Sequence, residues 1–454
     1  MTIKRKSILT LINIALVTIL CFSIALPMFA ANPATGVPGD PAQAALTKIF
    51  KMPIGTTIPT VTFTFKIEKV SLDGDDETNV QGILGQMPEV TDITLNFPNQ
   101  NSIIVTNNGV TTIYRESIDM FDDSNLDFTW PRAGVYEYLI TELNDAPQDT
   151  FEEQWIYSQA SYKVHVYVDT APDGSLYIAY ICGHMITSDD GGKGDDEKVD
   201  PTPGWETNDH TKLSGLRFTN SYLKNNGGPD PEDEDNTTLK ISKVISGLSA
   251  NNEHPFEFTI TITAPATVDT TTPPAYKAYL MDKDGVVSPI PTNQKGPQVV
   301  TAWDGPTGQP NDGREYVVFT SGVTKAGFLK HGQWLNFIDL PVGANFVIIE
   351  TGVPKYTPSC DLTLEGATKS YSNGPGLSLR VPSSNETAYI GELFEVENGV
   401  YLTNMAEFTN TYDMVAPTGI SVNDLPYVVL IGIAVAALVG FIIFKSRKRE
   451  ENDA

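Results

Sequence analysis

The residues best suited to chemistry in the first half of the chain are a lysine, a glutamate and an asparagine set among apolar neighbours. Lys48 lies in LTKIFK, Glu142 in GVYEYLITE and Asn220 in FTNSY. In an extended strand, residues two apart share a face. Each of these polar side chains therefore falls in a row that is predicted to face a hydrophobic core.

The second half repeats the three residues in the same order. Lys243 lies in LKISKVISG, Glu350 in LPVGANFVIIE and Asn410 in FTNTY, again in apolar alternating rows. Unrelated β-sandwich domains would share the alternation of apolar residues, but they would not share these polar residues. The repetition therefore predicts two related units that carry the same three groups in their cores.

Burial would change the chemistry of these groups. Isolated charges in a core are costly, so desolvation should lower the pKa of the lysine and raise the pKa of the glutamate. A neutral amine is a nucleophile, and a protonated carboxyl can donate to the asparagine carbonyl oxygen and shuttle protons. Amine and amide held in contact could condense with loss of ammonia into a Lys–Asn isopeptide bond. The alternatives are an unreacted hydrogen-bonded triad and strand-end residues that reach water.

The segments that position these residues alternate with a period of two. Examples are TVTFTFKI (60–67), YKVHVYV (162–168) and FEFTITI (256–262), with turn clusters between them. The 36 Gly and 31 Pro suit turn-rich β structure. The sequence predicts an all-β chain of two tandem β-sandwiches joined by an acidic Gly/Pro linker. The predicted bounds are 39–223 for the first domain, 224–238 for the linker and 239–413 for the second domain.

The two ends of the chain predict export and anchoring. A basic start, an apolar run and small residues at its end predict a signal peptide over residues 1–31, with an uncleaved anchor as the alternative. Near the other end, residues 427–444 are unbroken apolar sequence and predict a transmembrane helix. Basic residues follow at once, which places the short tail in the cytoplasm and the bulk of the chain outside.

The composition disfavours several classes of function. A net charge of −26 argues against binding nucleic acid. Outside the membrane only Cys182 and Cys360 are available for a disulfide, and they fall in different predicted domains. The five histidines form no metal-ligand pattern, and the acidic stretches lack EF-hand spacing, so we expect no metal and no cofactor. Catalytic motifs of known enzyme classes are missing from the sequence, so we expect no enzyme.

Taken together, these segments resemble the major (backbone) pilins of Gram-positive bacteria, especially the two-domain streptococcal kind with isopeptide-linked immunoglobulin-like domains. The segments that carry the resemblance are LTK, FTFKIE, GVYEYLITE, SYKVHVYV, FTNSY, LPVGANFVIIE and FTNTY. The resemblance implies bonds that form spontaneously during folding, without activity on an external substrate. It implies two bond-forming sets, Lys48–Asn220 with Glu142 and Lys243–Asn410 with Glu350.

Residues 414–454 resemble a sortase sorting signal, with a short motif, an apolar span and a basic tail. In such a signal a sortase would cut between Thr418 and Gly419 and hold the threonine as a thioester for an amine to attack. The common motif is Leu-Pro-x-Thr-Gly. Here Val415 and Ala416 stand in its first two places, and this departure suggests a dedicated pilin sortase. The alternative is a plain transmembrane anchor. The motif comprises Val415, Ala416, Pro417, Thr418 and Gly419.

Polymerisation would need an acceptor amine. In the resembled pilins it lies shortly before the last strand of the first domain, and Lys212 stands eight residues before Asn220. Lys198, in the acidic loop at 188–204, is the second candidate. The alternative is that Lys212 is an ordinary solvated lysine.

The resemblance thus implies a structural shaft subunit of a covalent pilus at the cell surface and wall, supporting adhesion. The implied partners are a pilin-type sortase, a wall-anchoring sortase and other copies of the chain, while minor pilins and host ligands stay open. The alternative function is a non-polymerised, wall-anchored adhesin on the same stalk domains.

Overall fold

A computed structural model describes most of the chain between residues 33 and 450. The described ranges are 33–145, 147, 149–150, 153–267, 272–290, 307–308, 314–393, 395–397, 400–401, 404–412 and 425–450. The predicted signal peptide and the predicted motif at 415–419 lie outside the described residues.

The first domain is built from strands whose apolar and polar residues alternate, as in SYKVHVYVDT of β9, where every second residue is buried. One sheet has the order β1-β10-β9-β7-β3-β4 with β11 on β10, and the facing sheet has the order β5-β6-β2-β12-β8. Short 3₁₀ turns lie at Leu84–Gln86, Asp123–Asn125 and Trp205–Thr207. The strands are β1 Ala34–Thr35, β2 Thr47–Pro53, β3 Val61–Leu72, β4 Ile93–Phe97, β5 Ile103–Asn107, β6 Val110–Glu116, β7 Gly134–Glu142, β8 Glu153–Ile156, β9 Ser161–Thr170, β10 Leu176–Thr187, β11 Lys193–Val199 and β12 Arg217–Lys224.

The second domain has the same construction. Its sheets have the orders β16-β17-β15-β19-β13-β26-β21-β22 and β18-β14-β20-β23, with a separate β24-β25 pair. A 3₁₀ turn at Glu234–Asn236 precedes it. The strands are β13 Leu239–Ser246, β14 Phe256–Thr263, β15 Ala275–Met281, β16 Thr307–Gly308, β17 Tyr316–Thr320, β18 Thr324–Leu329, β19 Trp334–Phe337, β20 Asn345–Glu350, β21 Tyr356–Leu364, β22 Ala367–Ser372, β23 Leu379–Val381, β24 Glu395–Glu397, β25 Val400–Tyr401 and β26 Met405–Tyr412.

The first and last strands of each domain are parallel neighbours. In the first domain β2 pairs with β12, and Lys48 lies opposite Phe218. In the second domain β13 pairs with β26, and Lys243 lies opposite Phe408. In both pairs the lysine therefore faces the residue two positions before the asparagine. Each domain also has its own hydrophobic core between its two sheets.

The two domains are in direct contact at the end of β2 and β12. The Val342 N–H donates to the Lys224 carbonyl oxygen over 2.8 Å. Gly343 has a φ of +78°, and a Cβ placed on it would lie 2.3 Å from the Cβ of Pro53. Both the conformation and the close approach favour glycine at this position. The interface therefore fixes which end of the first domain meets the second.

The segment at 224–238, predicted from its composition as an exposed spacer, lies against the second domain. The Asn336 side-chain amide donates to the Pro231 carbonyl oxygen over 2.7 Å, and the Val287 N–H donates to Glu232 over 3.1 Å. Its acidic side chains and carbonyl groups therefore accept hydrogen bonds from the domain that follows.

A single helix of membrane-spanning length occurs in the part of the chain that the structure describes. Helix α1 covers Leu425–Glu450, and its apolar window, Pro426–Ile443, is not buried against the rest of the protein. This window overlaps the predicted span at 427–444. The predicted fold class, tandem β-sandwiches followed by an apolar C-terminal helix, is confirmed.

Candidate functional site

The fold brings the three residues of the first set together from both sheets. Lys48 on β2 and Asn220 on β12 belong to neighbouring strands of one sheet, and Glu142 ends β7 in the facing sheet. The parallel register places the lysine and the asparagine on the same core-facing side. The carboxyl reaches them from across the core.

The three side chains of the first set contact one another and are shielded from solvent. Lys48 Nζ lies 2.7 Å and 2.6 Å from the two carboxyl oxygens of Glu142, and Asn220 Nδ2 lies 2.5 Å from Glu142 Oε1. The side chains of Lys48 and Glu142 are 0% and 1% exposed. The ring of Phe63 lies 4.3 Å from the lysine nitrogen and closes the apolar side of the site.

One contact in this site was not predicted from the sequence. The carbonyl oxygen of Asn220 accepts a hydrogen bond from the backbone N–H of Ser158 over 2.7 Å. Because an N–H needs an acceptor, this contact fixes the orientation of the amide and turns its nitrogen toward Glu142. The expectation that the carboxyl donates to the asparagine carbonyl oxygen therefore differs from the arrangement in the structure.

Burial dominates the electrostatics of the first pair. Desolvation lowers the pKa of Lys48 to about 8, although Glu142 acts in the opposite direction through its charge and hydrogen bond. Desolvation likewise raises the pKa of Glu142, against the contacts with Lys48 and Asn220. Both shifts favour the neutral amine and the protonated carboxyl over the ion pair.

The second set has the same placement with fewer contacts. Lys243 Nζ lies 2.9 Å from Glu350 Oε1, and both side chains are almost fully buried. Desolvation lowers the pKa of Lys243 and raises the pKa of Glu350. Phe256 lies 4.4 Å from the lysine nitrogen, in the role that Phe63 has in the first domain. Among the described residues, the buried carbonyl oxygen of Asn410 has no hydrogen-bond donor.

A cysteine takes part in the surroundings of the second set. Cys360 on β21 lies opposite Phe408, which in turn lies opposite Lys243. The thiol is buried, and desolvation raises its pKa, so it is an inert core group rather than a nucleophile. Cys182 and Cys360 are both free.

Neither candidate acceptor lysine joins these buried sets. Lys212 is exposed in the loop before β12, and Lys198 is exposed on β11. The carboxyl of Glu116 holds the Lys212 loop by accepting hydrogen bonds from the N–H groups of Gly204 and Ser214 over 2.9 Å and 2.6 Å. The loop is thereby tied to the body of the domain on both sides of the lysine.

The strand directions place Lys212 far from the end of the second domain. β12 runs from the Lys212 loop to the domain interface, and its eight residues span about 26 Å. β26 begins near the interface, where Asn404 donates to the carbonyl oxygen of Gly391, the residue before Glu392, which contacts Thr57 of the first domain, and it ends at Tyr412 on the far side. Lys212 and the last described residue before the predicted sorting motif therefore lie at opposite ends of the two domains.

Within the described part of the chain, three or more His, Cys, Asp or Glu side chains do not come together in an arrangement that could hold a metal ion.

The sequence is similar to pilins and their domains. Residues 44–223 match the family model described as the Spy0128-like isopeptide containing domain, and residues 237–376 match a domain of unknown function. A pilin of Streptococcus pyogenes serotype M1 is 25% identical over 391 residues, which cover 85% of each chain.

Solved structures of pilins are also among the similar proteins, at lower identity. A major pilin from Streptococcus pyogenes is 18% identical, with 82% of this chain and 99% of that chain covered and a TM-score of 0.27. A second major pilin of that species, T-13, is also 18% identical, with 85% and 100% covered and a TM-score of 0.27. At such TM-scores the superpositions carry no weight, and the fold rests on the strand order given above. The resemblance to Gram-positive major pilins is confirmed: residues 44–223 match the Spy0128-like isopeptide containing domain, and the chain as a whole is similar to a streptococcal pilin.

Proposed function

We propose that this protein is the structural shaft subunit of a covalent surface pilus, with one intramolecular Lys–Asn isopeptide bond in each domain. The observation that carries the proposal is the repeated buried set, in which a lysine and an asparagine on the first and last strands meet a glutamate from the facing sheet. The similarity to pilins supports a structural role rather than an enzymatic one.

The first set has the parts needed for bond formation. The neutral Lys48 nitrogen attacks the side-chain carbonyl carbon of Asn220, so that a bond forms to Nζ and the bond to Nδ2 breaks. Glu142 takes a proton from the attacking nitrogen and returns one to the departing nitrogen. The products are the cross-link and one molecule of ammonia. The second set performs the same exchange.

The position of the bonds suits a shaft. Each would join the first strand of a domain to its last strand, which are the strands through which tension enters and leaves the domain. Load would then pass through covalent bonds instead of the hydrogen bonds between β2 and β12 or between β13 and β26.

Assembly of the shaft would join Thr418 of one subunit to Lys212 of the next. The opposite placement of Lys212 and the end of β26 supports head-to-tail stacking. Such a heterologous contact produces an open filament rather than a closed ring. The Lys212 amine is exposed, and a pilin-type sortase would supply the threonine in activated form.

The remaining segments fit this route. The signal peptide directs export, helix α1 holds the precursor in the membrane, and the basic tail stays inside. A pilin-type sortase then links subunits, and a wall-anchoring sortase attaches the finished polymer. The mature protein lies in the pilus at the cell surface and wall.

The test is expression of the full chain with its sortases, followed by immunoblots of wall extracts boiled in detergent. We expect a ladder of covalent oligomers for the natural sequence and for Lys198→Ala, and monomer attached to the wall for Lys212→Ala. A ladder that persists in Lys212→Ala and disappears in Lys198→Ala would move the acceptor to β11. Wall-attached monomer in all three would favour the adhesin.

A further inference from the structure

The two asparagine side chains meet different neighbouring strands. In the first domain β8 ends at Ile156, so the chain leaves the sheet before Ser158 and turns its N–H to the carbonyl oxygen of Asn220. In the second domain β21 runs on past Asn410, where Pro358 lies opposite. Proline has no N–H to donate.

Asp189 holds the Ser158 N–H in place. Its carboxyl accepts hydrogen bonds from the Ser158 hydroxyl and from the Thr219 N–H, the latter over 2.8 Å. Its backbone carbonyl oxygen accepts one from the Gln159 N–H over 3.0 Å. Asp189 is thus hydrogen-bonded both to the segment that supplies the donor, Ser158 and Gln159, and to Thr219, the residue before Asn220.

Attack by the Lys48 amine moves an electron pair onto the carbonyl oxygen of Asn220. That oxygen carries the negative charge of the tetrahedral intermediate until the bond to Nδ2 breaks and ammonia leaves. A fixed N–H at hydrogen-bond distance stabilises such a charge without reorganisation, and loss of one such donor costs about 100-fold to 1,000-fold in rate. Among the described residues, no donor serves the corresponding oxygen of Asn410.

We propose that the Ser158 N–H, positioned by Asp189, is the oxyanion donor for the first cross-link, and that the first bond therefore forms faster than the second. The inference rests on the proposed cross-links. Ser158 acts through its backbone on the reacting oxygen, and Asp189 is a positioning residue.

The experiment follows both bonds in one molecule. The full chain is made by cell-free translation with detergent present, quenched in denaturant at intervals, digested, and scored by mass for the peptides joined at Lys48–Asn220 and at Lys243–Asn410. In the natural sequence the first bond should form at least tenfold faster than the second. Equal rates, or a faster second bond, would overturn the inference and leave the proposed cross-links standing. Absence of both bonds would instead remove the cross-links themselves.

Variants separate the donor from the serine side chain. Ser158→Pro removes the N–H and should slow the first bond about 100-fold, whereas Ser158→Ala keeps the N–H and should slow it only a few-fold. The second bond should keep its rate in both. A Ser158→Pro rate equal to that of the natural sequence would contradict the inference.

The control for misfolding is to introduce Ser158→Pro into the Glu142→Ala variant, in which the first bond cannot form. If Ser158→Pro melts there at the same temperature as its parent, a slower bond reports chemistry and not misfolding. If it does not fold, Asp189→Ala decides. It should slow the first bond about tenfold while leaving the second unchanged, and an unchanged ratio of the two rates would overturn the positioning role.

Discussion

The first and second domains place the same three residues in different surroundings. In the first, Glu142 contacts both Lys48 and Asn220, and the asparagine oxygen has its own donor in Ser158. In the second, Glu350 lies 2.9 Å from Lys243 and also interacts with the side chain of Asn410, but the asparagine oxygen is buried without a donor among the described residues.

We expect the features shared by both sites to be required for cross-linking, and a feature found in one site to affect only its rate. Common to both sites are the parallel pairing of first and last strands, the carboxyl from the facing sheet, the burial of all three side chains and a phenylalanine ring beside the lysine. Burial shifts the pKa of lysine and glutamate in the same directions in both domains. Among the described residues, a backbone N–H donor to the asparagine carbonyl oxygen occurs in the first site and not in the second.

Loss of one cross-link should produce the largest effect. Glu142→Ala should leave the first domain unlinked and Glu350→Ala the second, because each removes the proton carrier. Each bond closes a loop of about 170 residues, so its loss should cost about 5 kcal/mol of unfolding free energy. Thermal unfolding measured for both single variants tests whether the two domains lose similar amounts.

Cys360 provides a domain-specific readout for the same variants. Because its thiol is buried in the second core, alkylation should require that domain to open. Labelling of Cys360 should accelerate in Glu350→Ala and stay slow in Glu142→Ala. Equal acceleration in both variants would show that the cross-links do not stabilise their own domains separately.

The rate of bond formation should depend on pH with a maximum. In the proposed mechanism the reactive pair shares one proton between Glu142 and Lys48, so the rate should rise as pH passes the raised pKa of the carboxyl and fall as pH passes the lysine pKa of about 8. Above that value the rate should fall about tenfold per pH unit, since no proton remains for the departing nitrogen.

The quenched mass assay measures this profile for both bonds. The second bond should show the same bell shape, because desolvation shifts Lys243 and Glu350 in the same directions. A rate that keeps rising to pH 10 in either domain would show that the neutral amine alone limits the reaction and that the carboxyl proton is not used.

The smallest effect is expected at the interface between the domains. Glu392 is 4% exposed and contacts the Thr57 N–H over 3.1 Å, the Thr57 hydroxyl over 2.6 Å and Lys224 over 3.1 Å. Glu392→Ala should cost about 1 kcal/mol, because it removes three contacts of a buried carboxyl while their donors, the exposed Thr57 and the partly exposed Lys224, can turn to water, and it should leave both cross-links intact. Calorimetry checks this against Glu253→Ala, whose exposed pair with Lys330 should contribute little. Equal losses would remove the special role of the interface.

Sequence patterns predict side chains on strands far better than backbone groups and loops. The period-2 rows and their repetition were enough to select Lys48, Glu142 and Asn220, because strand periodicity fixes which side chains share a face. Ser158 was missed because it acts through its N–H, and the direction of that N–H depends on where β8 ends. Glu392 was missed because its partners are distant in sequence, with Thr57 335 positions away. The 224–238 segment has the composition of a spacer, yet its oxygen atoms accept hydrogen bonds from N–H groups of the second domain.

The proposed Lys–Asn cross-links in both domains are tested most directly by the intact mass of the two-domain part of the chain. The protein covering residues 39–413 should have a mass lower than that of its sequence by two molecules of ammonia. Digestion should yield one peptide pair joined at Lys48–Asn220 and another joined at Lys243–Asn410. A loss of one molecule would restrict the account to a single domain, and a mass equal to that of the unmodified sequence would contradict it.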